Sequence, residues 1–431
     1  MNIQLLLTGN ELMTGHTVDS NSAMIADLLA DAGYIITRKV TIGDELSVLV
    51  AELATLSAAS DIVLVNGGLG PTIDDLTAQA LGEMTGQTLE QNTIALAHLQ
   101  QWCEHRKLPL NDANLKQAIL PAGVEIIPNP TGSAVGFTIE YNGCLIICTP
   151  GVPSELRLMM EQTIVNLIAQ RFPSKDESST IRFQTFGLGE STLQQLVNNK
   201  FKDWPNQVEL GFRAGLPLLE VKLIVRRLEH QTLQQQCYNT LKEFIGDYII
   251  GEGNITLAES VIQLLQKRKQ TITTAESCTG GLIAASITAV AGASTVFEAG
   301  FVTYSNTMKQ QLLGVDETLL IEHGAVSEAV VIAMASGAIE RSNADYAIAI
   351  SGIAGPDGGT EDKPVGTVWM TWGSKDNLKT HHHHFNAPRK WFQQMATATT
   401  LDLVRRELLG IDEAPRYVKD RTQKKNRESL S

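Results

Sequence analysis

Nowhere in the 431 residues do about eighteen uncharged apolar positions follow one another, the length a helix needs to cross a bilayer. The opening stretch MNIQLLLTGNELMTG also lacks the basic start and long apolar run of a secretory leader, so a cytoplasmic protein with no membrane partner is expected. Cysteine is scarce. Cys103, Cys144, Cys148, Cys237 and Cys278 form an odd, scattered set, and Cys144 with Cys148 has no matching second pair, which argues against disulfides and a structural zinc site. Positive charge is in deficit, 34 Lys and Arg against 47 Asp and Glu, giving a net charge of -13. Nucleic-acid affinity depends chiefly on cations displacing counterions from phosphates, so direct binding to a polyanion is disfavoured. Only the chain's end runs the other way, with Arg416, Lys419, Arg421, Lys424, Lys425 and Arg427 against Asp420 behind Pro415, and it reads as a frayed, solvated terminus. Tandem repeats and low-complexity tracts are missing, apart from the run His381 to His384. In a strand those rings alternate between faces, so only two could share a metal shell, and a solvent-exposed strand is expected.

What is present is the balance of a globular protein, 43% hydrophobic and 19% charged, in a chain longer than one core usually serves. Over residues 1–170 short apolar runs alternate with amphipathic segments: IQLLLTG, NSAMIADLLADAG, YIITRKVTIGD, ELSVLVAELATLSAAS and DIVLVNGGLG. That alternation predicts a parallel sheet with helices on its faces, a three-layer α/β/α domain. Linker composition at 171–179 and the GEGN punctuation at 251–254 bracket a small α+β module, read as three strands and two helices over 171–254. A second α/β domain is expected over 255–412, followed by a basic tail over 413–431.

The strongest local signal is Thr274-Ala275-Glu276-Ser277-Cys278-Thr279-Gly280-Gly281, where a β-branched strand runs into a helix. Gly280 and Gly281 permit close approach of a ligand to the backbone, and the first N–H groups of the helix are expected to be open donors for an oxyanion beside Ser277. Taken alone, the segment favours Ser277 or Thr279 as a plain helix cap. Cys278 is a competing nucleophile or a residue packed under the helix. A serine needs a base, and the cluster Phe301-Val302-Thr303-Tyr304-Ser305-Asn306 with Lys309 offers one: a lysine held neutral by burial, with Tyr304 to relay or orient the proton. The plain alternative is a solvated Lys309 and an edge-strand Tyr304. The glycine-rich loop from Ile350 through Ser351, Gly352, Ala354 and Gly355 to Gly359 follows an apolar strand and suits phosphate or sugar binding.

Near the N-terminus, strand IVLVN runs into Gly67-Gly68-Leu69-Gly70-Pro71-Thr72, with Asp74 and Asp75 opening a helix. Such a loop can hold a pyrophosphate on backbone N–H groups while the aspartates bind a hard divalent cation. A tight turn whose aspartates complement a helix dipole explains the same residues equally well.

TAESCTGG, FVTYSN with Lys309, HGAVSE at 323–328 and SGIAGPDGG followed by KPVGTVW closely resemble the nicotinamide-nucleotide amidase domain of the CinA family, over about 255–412. The resemblance implies hydrolysis of nicotinamide mononucleotide to nicotinate mononucleotide and ammonia without a cofactor, Ser277 acting as nucleophile with Tyr304 and Lys309 assisting. Cys278 to Gly281, Ser351, Gly352, Ala354, Gly355 and Arg389 would then surround the substrate. The family usually shows Gly-Asp-Arg where this chain has Ala387-Pro388-Arg389 after Asn386, which puts the place of Arg389 in question. TGNELMTG with Asp19-Ser20-Asn21, GGLGPTIDDLT, the run from Asn129 to Ala134 and the run from Thr149 to Glu155 look like the molybdopterin-binding-like domain of the same proteins, over about 1–170. That likeness implies a metal-dependent ADP-ribose pyrophosphatase. Glu11, Asp44, Asp74 and Asp75 become candidate ligands for a divalent ion of the magnesium or cobalt type, and Gly67, Gly68, Gly70 and Thr72 candidate substrate contacts. The middle segment resembles the family's KH-like module but lacks a GXXG clamp flanked by basic residues, so it reads as structural. A homodimer is implied by the resemblance alone. Two rival readings stand beside it: an N-terminal domain that only binds a nucleotide or pterin, and a competence or DNA-damage accessory protein.

Overall fold

The computed structural model describes residues 1–173, 178–201 and 203–418. Residues 174–177 of the expected linker, and Lys419, Arg421, Lys424, Lys425 and Arg427 of the basic tail, lie outside the described residues. The chain is a mixed α/β protein with several sheets, in two compact units: Met1–Ser179 with Arg226–Leu228, and Thr180–Val225 with Glu229–Ser431.

In the first unit the strands are β1 (Ile3–Thr8), β2 (Ile36–Ile42), β3 (Ile62–Asn66), β4 (Leu89–Gln91), β5 (Ile119–Pro121), β6 (Glu125–Ile127), β7 (Gly136–Tyr141) and β8 (Cys144–Thr149). Six form one sheet in the order β2-β1-β3-β8-β7-β6, and β4 pairs with β5 apart from it. The β2, β1, β3 and β8 ladders are parallel; β7 and β6 join antiparallel, a feature the alternating pattern did not contain. Both faces are covered, which is why these strands read as continuous apolar runs. On β3 and β8, Val63, Val65, Ile146 and Cys148 face the core that includes Leu49, Leu53 and Leu56 of helix Leu46–Ala58. Their neighbours Ile62, Leu64, Leu145 and Ile147 face Met24, Ile25 and Leu29 of helix Asn21–Asp31. The period of two along the strand delivers each residue to its layer. Parallel order places the carboxyl ends of β1, β2, β3 and β8, and the turns that follow them, along one edge.

In the second unit, β9 (Ser179–Thr185), β10 (Glu209–Gly215), β11 (Leu218–Val225) and β12 (Ile249–Glu252) form a sheet in the order β10-β11-β9-β12, backed by helices Glu190–Lys200 and Gln231–Ile245. The fourth strand corrects the three-strand expectation. Its residues Gly251 and Glu252 belong to the GEGN stretch read as a boundary, but they pair with β9 despite the glycine. The remaining strands are β13 (Ile272–Glu276), β14 (Phe297–Val302), β15 (Tyr346–Gly352), β16 (Thr367–Ser374) and β17 (Asn377–His384), in the order β14-β13-β15-β16-β17. The first three are parallel, and β16 and β17 return antiparallel. On β15, Ala347 and Ala349 meet helix Glu328–Ser342 through Val330, Val331 and Met334, while Ile348 and Ile350 face helices Leu257–Arg268 and Arg389–Leu409. The buried pair Asp402 and Arg405 on the last helix joins the two sheets: Arg405 donates to the Ile249 carbonyl at 3.0 Å and to the Asp247 carbonyl at 2.6 Å.

All five thiols are free and buried. The histidine run does form a strand, but His383 is buried, its ring 4.3 Å from that of Phe385, so the expectation of an exposed strand holds only for its neighbour His382. Among the described residues no helix is long and apolar enough to cross a membrane.

Candidate active sites

Parallel pairing of β13, β14 and β15 gathers three sequence-distant segments at one sheet edge: Ser277 after β13, Thr303 and Tyr304 after β14, and the 350–359 loop from β15. Main-chain bonds lock the corner, from Ser277 N–H to the Ile350 carbonyl at 3.0 Å and from Thr303 N–H to the Glu276 carbonyl at 2.8 Å. Helix Asn306–Leu313, capped by the Ser305 hydroxyl accepting from Met308 N–H at 3.2 Å, then aims Lys309 back at the corner.

Lys309 is 1% exposed and Ser277 8%. The Lys309 Nζ donates to Ser277 Oγ at 3.1 Å and to the Thr303 carbonyl at 2.9 Å, with the Tyr304 carbonyl at 3.5 Å. No carboxylate is paired with it among the described residues, and burial pushes its ammonium below the ordinary 10.5. A free amine within hydrogen-bond reach of a hydroxyl is the arrangement of a general base and its nucleophile. The solvated-lysine alternative therefore does not describe this residue.

Two expectations need correction. Neither Ser277 nor Thr279 caps the following helix, Leu282–Thr288. The cap residue is Gly281, and the acceptors come from Glu276 at the strand end, fully buried, whose Oε2 accepts from Gly281 N–H at 3.1 Å and Ile283 N–H at 3.0 Å, and whose Oε1 accepts from Ala284 N–H at 2.8 Å. The helix donors expected to be open are thus consumed, and Gly280 N–H is held by the Ser277 carbonyl at 3.1 Å. The main-chain N–H groups of Cys278 and Thr279 donate to no backbone carbonyl among the described residues and are the donors left beside Ser277. Gly280 and Gly281 adopt φ +66 and +97, the left-handed conformation that bends the chain from strand to helix.

The second correction concerns Tyr304. Its ring is 61% exposed, and its hydroxyl accepts from Arg389 Nη2 at 2.9 Å, so the hydroxyl meets neither Ser277 nor Lys309. Arg389 also donates through Nη1 to the Gly355 carbonyl at 3.0 Å. The guanidinium thus ties the tyrosine to the glycine-rich loop, and the Asn386-Ala387-Pro388 sequence before it leaves it at the site. One turn on, Gln393 Nε2 donates to the Cys278 carbonyl at 2.8 Å. Glu276 and Gln393 escaped sequence reading: the first stands inside the quoted motif with no assigned role, and the second lies 115 positions away. Ser351 is buried, its hydroxyl donating to the Ala325 carbonyl at 2.7 Å, so it braces the HGAVSE turn. Gly352 and Gly355 have no room for a Cβ, which would meet the Thr367 carbonyl oxygen at 2.8 Å and Val365 at 2.6 Å; Ala354 is buried beside them. Cys278 belongs to the apolar core, and burial pushes its thiol up to about 12, leaving a protonated and inert sulfur.

In the first unit the turns after β1, β2, β3 and β8 enclose a cleft of about 520 Å³ whose lining includes Glu11, Asp44, Asp74, Asp75 and Glu155 with Gly67 to Thr72. A Cβ on Gly68 (φ +68) would fall 2.3 Å from Thr77 Oγ1, and one on Gly67 (φ +113) 2.5 Å from the Thr8 carbonyl oxygen, so both positions require glycine. A Cβ on Gly70 would meet Asp75 at 2.5 Å. Asp44 accepts from Thr8 Oγ1 at 2.6 Å and from Asn10 N–H at 2.8 Å; Asp75 accepts from Thr72 N–H at 2.8 Å and from the Thr72 hydroxyl; Glu155 accepts from Asn129 Nδ2 at 2.8 Å. Thr72 is therefore engaged within its own turn. Among the described residues no three His, Cys, Asp or Glu side chains cluster as a ready ligand set. Separate carboxylates around a roomy cleft suit a hard cation of the magnesium type, which keeps waters and phosphate oxygens in its shell and takes only one or two protein carboxylates.

The comparisons agree with this division. Residues 254–408 match the family model described as "CinA C-terminal domain", and residues 4–170 match "Probable molybdopterin binding domain". A CinA-like protein of Colwellia psychrerythraea is 51% identical over 97% of this chain and 98% of its own length. Another from Geobacter metallireducens is 37% identical over 95% of this chain and 100% of its own. A solved CinA superfamily protein of Klebsiella pneumoniae is 37% identical, covering 36% of this chain and 96% of its own, with a TM-score of 0.35. With full-length relatives at this identity and both domain models in place, the chain belongs to the CinA family.

Proposed function

We propose that the C-terminal site hydrolyses the carboxamide of nicotinamide mononucleotide. The observation that carries this reading is the buried, carboxylate-free Lys309 amine 3.1 Å from the Ser277 hydroxyl. The neutral amine takes the hydroxyl proton as Oγ attacks the amide carbon, and the oxyanion is met by the Cys278 and Thr279 N–H groups. The resulting ammonium returns its proton to the departing nitrogen, releasing ammonia and leaving a nicotinoyl ester on Ser277. Water, deprotonated by the same amine, then cleaves the ester to nicotinate mononucleotide and the free serine. Arg389, exposed at the rim beside Tyr304, has N–H groups for the substrate phosphate. The test is ammonia and nicotinate mononucleotide formation by the full chain. Cys278→Ala is expected to keep the rate within roughly threefold, because a thiol held protonated contributes no nucleophile. Loss of turnover in a folded Cys278→Ala protein would reverse the choice of nucleophile.

A second activity is supported by the carboxylate-lined cleft of the first unit: hydrolysis of ADP-ribose to AMP and ribose 5-phosphate. One or two of Asp74, Asp75, Glu11 and Asp44 would supply the protein oxygens to a divalent ion, which when bound would neutralise the pyrophosphate charge. The backbone of Gly67 to Gly70 would lie along the phosphates. A chelator is expected to abolish AMP release while leaving ammonia release intact; AMP release that survives exhaustive chelation argues against the metal assignment.

A further inference from the structure

From Ser277 the chain turns through Cys278, Thr279, Gly280 and Gly281 into the helix, and most links of that turn are bonded to their neighbours. The Ser277 carbonyl accepts from Gly280 N–H at 3.1 Å, the Thr279 carbonyl accepts from Leu282 N–H at 3.3 Å, and Gly281 N–H is held by Glu276. The peptide unit joining Cys278 to Thr279 is the exception. Its N–H donates to no backbone carbonyl, and its carbonyl accepts from no main-chain N–H, among the described residues. What holds this unit is a side chain 115 positions away: Gln393 Nε2 donates to the Cys278 carbonyl at 2.8 Å.

We infer that Gln393 is a positioning residue for the oxyanion: by holding the Cys278 carbonyl it fixes the direction of the Thr279 N–H. The inference rests on the reading of Ser277 as the nucleophile of an acyl transfer. A trans peptide is planar with its C=O and N–H on opposite edges, so rotation about the two flanking bonds swings both together. A donor on the carbonyl edge sets that rotation and turns the N–H edge away from helix Arg389–Leu409. It also strengthens the N–H as a donor, because successive hydrogen bonds polarise one another. Arg389 stands one turn earlier on the same helix face, and its bonds to the Gly355 carbonyl and the Tyr304 hydroxyl seat that turn against the site. The helix start thus brings one donor to the glycine-rich loop and another to the strand-to-helix corner. An N–H already aimed where charge develops needs no reorganisation as the tetrahedral intermediate forms, which is where such a donor lowers the barrier.

The test compares the full-length wild type with Gln393→Met, which keeps length and helix propensity but donates nothing, and with Gln393→Glu, which sets a carboxylate oxygen against the carbonyl. Two substrates are used: nicotinamide mononucleotide, and p-nitrophenyl acetate, whose acetyl group passes to Ser277 Oγ as p-nitrophenolate leaves. Both variants are expected to lose about tenfold to a hundredfold in kcat for the amide and in the acylation rate for the ester. KM for the nucleotide should stay within roughly threefold, because the ground-state amide does not draw on the oxyanion donors, a split that a general loosening of the site would not give. A folded variant that acylates at the wild-type rate, or a loss confined to KM, overturns the role of Gln393. If the wild type is acylated by the ester but releases no ammonia from the nucleotide, the substrate reading fails while the ester rates of the variants still decide the positioning role. If the wild type reacts with neither, both fail.

Discussion

Ser277→Ala is expected to lower deamidation by about 10⁴-fold or more, and Lys309→Met by about 10²- to 10⁴-fold, with the double variant no worse than Ser277→Ala alone. The two groups act as one unit, so once the hydroxyl is gone the amine has no proton to take. Single-turnover ammonia release measures all three; additive losses would mean that Lys309 acts elsewhere. The pH profile gives a second reading. Only the free amine is a base, and burial lowers its value from 10.5, so the rate should climb with unit slope as pH rises and level off below 10.5. Stability follows the same sign. Between the lowered folded value and 10.5 the unfolded chain holds a proton that the folded chain does not, so unfolding free energy rises with pH across that window, and the buried ammonium costs stability below it. Lys309→Met removes that dependence and keeps the apolar stem, so the variant should fold at least as well as the wild type near neutral pH.

Glu276→Ala carries the largest expected loss of stability, about 3–5 kcal/mol in urea unfolding of the second unit. Three main-chain N–H groups at the helix start, the buried one of Ile283 and the half-buried ones of Gly281 and Ala284, lose their acceptor at once. The substitution also empties a fully buried position directly beside Ser277. Glu276→Gln keeps one carbonyl oxygen but turns an NH₂ toward the same donors, so an intermediate loss is expected. A Glu276→Ala protein as stable as the wild type would mean that the helix start finds other acceptors.

Much of the candidate site was legible in one dimension because its parts are local. A β-branched run followed by Ser277 and paired glycines announces a strand-to-helix turn, since the left-handed conformations at Gly280 and Gly281 suit few other residues. The alternation of apolar runs and amphipathic segments over 1–170 likewise announced the parallel α/β layers of the first unit, while over 255–412 it announced only an α/β domain. Glu276 was not legible as a cap, because residues before a helix usually cap through short hydroxyl, amide or aspartate side chains, and a longer carboxylate reaches back only when the turn folds over it. The direction of the tyrosine was not legible for a related reason: a residue's main chain and side chain point different ways, so the Tyr304 carbonyl faces the lysine while its hydroxyl meets Arg389.

By itself the sequence determined the secondary-structure periods and the segments able to turn sharply, which depend on contacts within a few residues, but it left Ser277 and Cys278 as rival nucleophiles until the fold buried the thiol in the apolar core. Tertiary structure decided the surroundings of the amine. Lys309 is placed to serve as a base only because pairing β13 with β14 buries its amine against Ser277, 32 positions away, and no local pattern encodes the loss of water around a charge.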